Sequence, residues 1–181
     1  QIFMGRHIKL DEPHGVERPV IMDATVTQNA PAGNGGAYRF VYVLPLASHE
    51  VFIEDTYYSE APRLDRHLLS GRLDCYAARH GWSDGIPIGH ETGMLPVITG
   101  GNFSAYLDSI RIPGVAVVGA RGGFTHPLTS YTVPIAVENA LAIAAQSDLT
   151  GPQLARFCEQ RARRHWRKTA IYRALGRMLV K

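Results

Sequence analysis

The sequence predicts an α+β fold, and three observations carry that prediction. The first half holds four strand-like runs in succession, joined by short or loop-like links, the pattern of an antiparallel sheet. The second half changes to helical periodicity, first alanine-rich and then arginine-rich. At 181 residues, 45% hydrophobic and 19% charged, the chain is long enough for one real core and has an ordinary globular balance.

Taken in order, residues 1–10 read as an opening strand, with Ile2, Met4 and Ile8 among polar neighbours. Asp11 to Gly15 and Glu17-Arg18-Pro19 read as turn. Val20–Val26 is a second strand with one acid, Asp23, in an apolar run. Asn29 to Gly36 has the composition of a flexible loop. Tyr38–Leu44 is a third strand closed by Pro45, and Val51–Tyr58 is a fourth, rich in β-branched and aromatic residues. A helix follows near 62–80, with Pro62 in its first turn, a stripe of Leu64, Leu68, Cys75 and Tyr76, and Gly81 as its stop. Residues 84–99 hold one or two further strands carrying Glu91, and Phe103–Ile110 a short helix. Val115–Val118 is an uninterrupted apolar run, as in a strand covered on both faces. It leads into Gly119-Ala120-Arg121-Gly122-Gly123 and, after a loop, a helix over Pro134–Gln146, with Thr132 or Ser130 as its cap. Strand, glycine-rich turn and helix start can present backbone N–H groups to an anion, though simple turn chemistry explains the same residues.

The fourth strand carries Glu54 and Asp55 side by side. Successive strand side chains point to opposite faces, so Glu54 goes with Phe52, Thr56 and Tyr58, and Asp55 with Val51, Ile53 and Tyr57. Whichever face is buried takes a carboxyl group into apolar company. Such a group tends to stay protonated and can act as an acid near neutral pH. The alternation leaves both candidates open, and also the plainer arrangement in which water or an arginine meets them.

The net charge of +3 hides an asymmetry: residues 152–181 carry nine Lys and Arg against the single Glu159. At 100° per residue, Leu154, Phe157, Cys158, His165, Tyr172, Leu175 and Leu179 share one stripe, with Arg156, Arg163, Arg164 and Arg167 opposite. That describes either a helix docked on a core or one lying at a membrane surface. Charge alone also permits nucleic acid, but no base-reading motif supports it. The two cysteines, Cys75 and Cys158, form neither a metal spacing nor a disulfide framework, so a reducing compartment is expected. The eight scattered histidines give no support to a metal site. A start at Gln1 with strand-like sequence at once suggests a fragment or a processed chain.

Several motifs go further. Pro13-His14-Gly15, Ile21–Val26, Tyr38–Leu46, Ile53–Tyr58, Gly81-Trp82, Glu91–Pro96, His126–Tyr131 and Arg164–Leu179 follow one another as in bacterial lycopene β-cyclases, which the chain resembles over nearly its whole length. The family opens on a GxGxxG dinucleotide turn, and none occurs here. The resemblance therefore implies the middle and later part of an enzyme that is α/β as a whole. Residues 1–113 would be a substrate-side antiparallel sheet, 114–150 a strand-turn-helix returning to a Rossmann-like FAD domain, and 151–181 basic amphipathic helices. It also implies cyclisation of lycopene or other linear carotenoids without net redox change, with reduced FAD as cofactor and NADPH as reductant. Glu54 matches the family's catalytic acid and Asp55 its neighbour. Gly119, Arg121, Gly122, Gly123, His126, Pro127 and Tyr131 match its second flavin contact. Ser130 stands where the family usually has glycine, which questions the backbone geometry there. Cytoplasmic placement, peripheral to the membrane, is expected. The alternatives are a flavin oxygenase or isoprenoid reductase on the same fold, or an inactive truncated cyclase.

Overall fold

A computed structural model describes residues 1–28, 38–59 and 63–179. The fold is α+β, as the sequence predicts, and forms two compact units, Gln1–Leu95 and Pro96–Met178. The second unit thus begins well before residue 114.

The first unit is a five-stranded antiparallel sheet: β1 (Ile2–Lys9), β2 (Val20–Asp23), β3 (Arg39–Ala47), β4 (Glu50–Tyr57) and β5 (Ile86–Met94). Their order is β2-β3-β4-β1-β5, which places the opening strand between β4 and β5. The second strand ends three residues earlier than expected. Met22 takes a positive φ of 60°, and the Asp23 carboxylate accepts from the Thr25 backbone N–H at 2.9 Å and hydroxyl at 2.6 Å, folding the chain away from the ladder. The third strand runs on through Pro45, because the register shifts between Pro45 and Ala47 and an irregular pairing tolerates a residue without an N–H. The expected loop at 29–36 and Pro62 lie outside the described residues.

Helix α1 (Arg66–Arg79) starts at Asp65, whose carboxylate accepts from Leu68 N–H at 3.0 Å, a cap worth about 1 kcal/mol. It buries Leu69, Leu73, Tyr76 and Ala77, whereas Leu68 and Cys75 of the expected stripe face outward. The buried side packs on one face of the sheet, against Ile8, Val41, Val43, Val51 and Ile53. Arg6 reaches across to the Asp74 carboxylate at 2.5 Å and the Ser70 hydroxyl at 3.0 Å.

The second unit contains α2 (Phe103–Ile110), α3 (Val133–Ala144), α4 (Gly151–Lys168) and α5 (Ala170–Leu179). Leu107, Phe124 and Ala162 form its core, and Phe103 stacks on Trp166 with ring centroids 4.6 Å apart. Val115–Val118 is not a strand: only an isolated bridge from Ile112 to Val115 forms. With no neighbouring strand among the described residues, its apolar side chains remain partly exposed.

The C-terminal stripe breaks at Thr169, whose hydroxyl turns back to the His165 carbonyl at 2.8 Å. Beyond it, α5 is rotated relative to the expectation. Its buried residues are Arg173 and Gly176, while Tyr172 and Leu175 face outward with Ile171 and Met178. Arg173 lies 3.7 Å over the Trp166 ring and donates to the Trp166 carbonyl at 2.6 Å. Cation–π attraction and that hydrogen bond together outweigh the pull of the apolar side chains. No described helix is long and apolar enough to cross a membrane.

Candidate active site

Cross-strand register places Tyr42, Glu54, Gly5 and Glu91 in one row across β3, β4, β1 and β5. The row lies on the sheet face opposite α1, because partners in an antiparallel ladder share a face. Phe52 and Thr56 stand beside Glu54 on that face, and Phe3 and Phe40 belong to it as well.

Gly5 shapes the row. A Cβ built there would sit 2.2 Å from the Phe52 ring and 2.9 Å from the Glu91 Cγ. Only a residue without a side chain lets the ring and the Glu91 side chain close over β1. Gly93 does the same for Phe3, whose ring lies 2.7 Å from the corresponding Cβ position. These glycines lower the sheet surface, and aromatic rings lie across it.

Glu54 is half-buried and accepts from the Thr56 hydroxyl at 2.8 Å. Burial is the main force raising its pKa, which reaches about 7. The Thr56 hydroxyl pulls the other way, while a hydrogen bond and charge repulsion from Glu91, and the Asp55 charge, push further up. A carboxyl group in this state holds a proton near neutrality and can donate it.

Asp55 has a different environment. It is fully buried on the α1 face, where Arg39 Nε donates to Oδ1 at 3.0 Å and Oδ2 at 2.9 Å, with a further contact from the same guanidinium. Arg39 also donates to the Thr27 carbonyl at 2.8 Å. The two adjacent acids therefore separate by role: Asp55 locks β4 to β3 through the sheet's buried side, and Glu54 faces the aromatic side. Tyr57, from the same strand, belongs to the α1 face too, packed under the Arg72 guanidinium at 5.5 Å.

In the second unit, Gly119 has φ 66°, ψ −159° and Gly123 φ 81°, conformations that glycine reaches without strain. The N–H groups of Gly122, Gly123 and Phe124 turn inward to the carbonyls of Gly119 and Ala120. They are occupied rather than offered to an anion. Residues 124–132 separate the turn from α3, the intervening loop that the sequence predicts. Gly119 remains open, with nothing within 4 Å of a Cβ placed on it. Gly122 must be glycine, since its Cβ would meet the Val117 carbonyl at 2.5 Å.

His126, Pro127 and Tyr131 build a second turn. The His126 N–H donates to the Tyr131 carbonyl at 2.9 Å, and the Ser130 N–H to the His126 carbonyl at 2.9 Å. His126 Nδ1 takes the Thr129 N–H at 3.3 Å, and burial keeps its pKa below the usual histidine value, with His165 adding to the effect. Ser130 does adopt a positive φ, 60°. Its hydroxyl donates to the Pro96 carbonyl at 2.5 Å and caps no helix, and Thr132, although at the cap position of α3, makes no side-chain bond there either. The glycine-like backbone is kept and a side-chain bond holds it.

Comparison with known proteins decides the family. The model described as "Lycopene cyclase protein" matches residues 1–181. The chain belongs to the lycopene cyclase family. Lycopene beta-cyclase of Pseudescherichia vulneris is 40% identical over 180 residues, and that of Pantoea ananas 37% over 179. Each alignment covers 99% of this chain and 44% of the relative, so the chain spans under half the length of these lycopene cyclases. In fold it is similar to a geranylgeranyl bacteriochlorophyll reductase-like protein from Thermoplasma acidophilum, with TM-score 0.54 and 16% identity over 97% of this chain and 42% of that one.

Within this lycopene cyclase family chain, Gly5 and Tyr42 join the candidate site through register with Glu54, and the strand pattern alone does not single them out. An isolated glycine inside a strand pattern is itself a sign of close approach, but its partners are set by register, which local sequence does not give.

Proposed function

We propose that this chain supplies the protonating face of a lycopene cyclase, with Glu54 as the acid. The observation that carries the proposal is the asymmetry between the paired carboxyl groups. Glu54 is half-buried with its pKa raised to about 7 on an aromatic-lined sheet face, while Asp55 is consumed by Arg39. In the reaction, the Glu54 O–H bond breaks as a C–H bond forms at the terminal double bond of linear lycopene. Ring closure yields a carbocation, and loss of a proton leaves the β-ionone double bond. The Phe52, Phe3 and Tyr42 rings supply electron-rich surface for the cation, whereas Tyr57 is packed on the opposite sheet face. Asp55 acts by fixing the strand that aims Glu54.

Reduced FAD, when bound, would add electron density that offsets the developing positive charge. A flat cofactor would approach over Gly119, where nothing lies within 4 Å of a Cβ position, with Arg121 beside it; Gly122 and Gly123, already packed against Val117 and Phe103, would hold that turn in shape. His126, Pro127 and Ser130–Tyr131 would shape the neighbouring turn. A C40 hydrocarbon substrate resides in a bilayer, so attachment at the membrane surface fits. The outward apolar residues of α5 and the exposed Arg164, Arg167 and Lys168 of α4 are suited to anionic lipid.

The test is Glu54→Gln in a full-length lycopene cyclase carrying this segment, assayed with lycopene and reduced flavin. Loss of cyclised product with unchanged folding is expected, and normal β-carotene formation would refute the assignment.

A further inference from the structure

We infer that Glu91 is the partner of Glu54 in a proton-sharing carboxyl pair across Gly5. The inference rests on the proposed role of Glu54. Three strands build the pair: Gly5 of β1 is the cross-strand partner of Glu54 on one side and of Glu91 on the other. The two glutamates are thus separated by one backbone whose missing side chain leaves room between them. The Glu91 Cγ lies 2.9 Å from where a Gly5 Cβ would be, so its side chain leans over β1 into the space between the two strands, near enough to push the Glu54 pKa up.

Two carboxyl groups facing each other across one strand repel if both are ionised, and a single proton shared between them relieves that repulsion. The groups facing Glu54 bear this out. On β4 they are the Thr56 hydroxyl, which donates to it, and Asp55, whose side chain points to the other face. On β3 its partner is Tyr42. On β1 the next titratable group along that face is His7, already bonded to Glu50 at 3.0 Å. Among the described residues of the sheet, no lysine or arginine stands in the row to neutralise a second charge. The shared proton takes that role.

The pair also accounts for the proton through the reaction. The O–H bond breaks as the new C–H bond forms, leaving two adjacent carboxylates beside a carbocation. That arrangement favours the cation and strongly favours recapture of a proton. The proton lost when the ring double bond forms restores the singly protonated pair, and no electrons enter or leave. Glu91 is a positioning residue here, acting through Glu54.

The experiment is a carboxyl 13C titration of glutamate-labelled full-length lycopene cyclase carrying this segment, beside its pH–rate profile. In the parent, the pair should titrate in two separated steps, the upper near 7. Glu91→Gln should lower the Glu54 step by on the order of half to one unit without bringing it to the ordinary value, since burial remains. The alkaline fall in rate should move with it, costing roughly three- to tenfold at the alkaline end. Glu91→Asp should retain much of the upper step. Independent single-step titration of both groups in the parent would overturn the pair without any variant. So would an unmoved Glu54 step in Glu91→Gln. If the step moves as stated while Glu54→Gln remains fully active, the pair stands and the catalytic assignment of Glu54 fails.

Discussion

Replacing Glu54 by Gln should stabilise the protein at alkaline pH while abolishing its activity. The folded-state pKa of about 7 lies well above the value of about 4.3 for a glutamate in an unfolded chain. Between those values the folded protein binds the proton and the unfolded chain does not. Stability therefore falls as pH rises through that window, and the whole penalty is present above the folded pKa. At about 1.4 kcal/mol per unit the gap corresponds to several kcal/mol. The carboxyl group is only half-buried and solvent screens it, which reduces the figure to about 2 kcal/mol. Glutamine keeps the shape and an acceptor for Thr56 but carries no charge. Urea unfolding of parent and Glu54→Gln proteins should therefore give equal midpoints near pH 4 and a higher midpoint for the variant near pH 8. A variant no more stable than the parent at pH 8 would show that Glu54 is not held neutral by its surroundings, and the acid would lose its physical basis.

Other expectations follow from the same packing. Asp55→Asn, one residue away, should cost about 3–5 kcal/mol because it leaves the buried Arg39 guanidinium without its counter-charge; thermal unfolding would show it, and a neutral result would remove Asp55 from its structural role. Gly5→Ala should lower activity more than stability, since the new methyl would displace the Phe52 ring and Glu91 side chain, both of which can swing away, at about 1–2 kcal/mol. Paired urea and product assays separate the two effects. Co-sedimentation with anionic liposomes should weaken with salt and with charge reversal at Arg164 and Arg167, and binding that ignores both would count against membrane attachment through α4 and α5.

Much of the sheet was legible because alternation is a local property. The alternation over Val51–Tyr58 separates its two faces without reference to a partner strand, and β1 and β3 stand where their sequences predict strands, β3 running on to Ala47. Which acid would be buried was not legible, since Arg39 lies 16 residues away and meets Asp55 only once β3 and β4 pair in register. The row from Tyr42 to Glu91 needed three ladders at once. Val115–Val118 has the composition of a covered strand, but a strand needs a neighbour, and none stands beside it among the described residues. In α5 the apolar stripe failed because the break at Thr169 rotates the helix and the Arg173–Trp166 contact sets its inward side.

Deuterium labelling bears most directly on the central claim, that Glu54 protonates the substrate in an isomerisation. Turnover of lycopene in D2O should yield a product of unchanged atomic composition carrying one deuterium per ring formed, and Glu54→Gln should return unlabelled lycopene. Product with altered oxygen or hydrogen content, or labelled rings from Glu54→Gln, would contradict it.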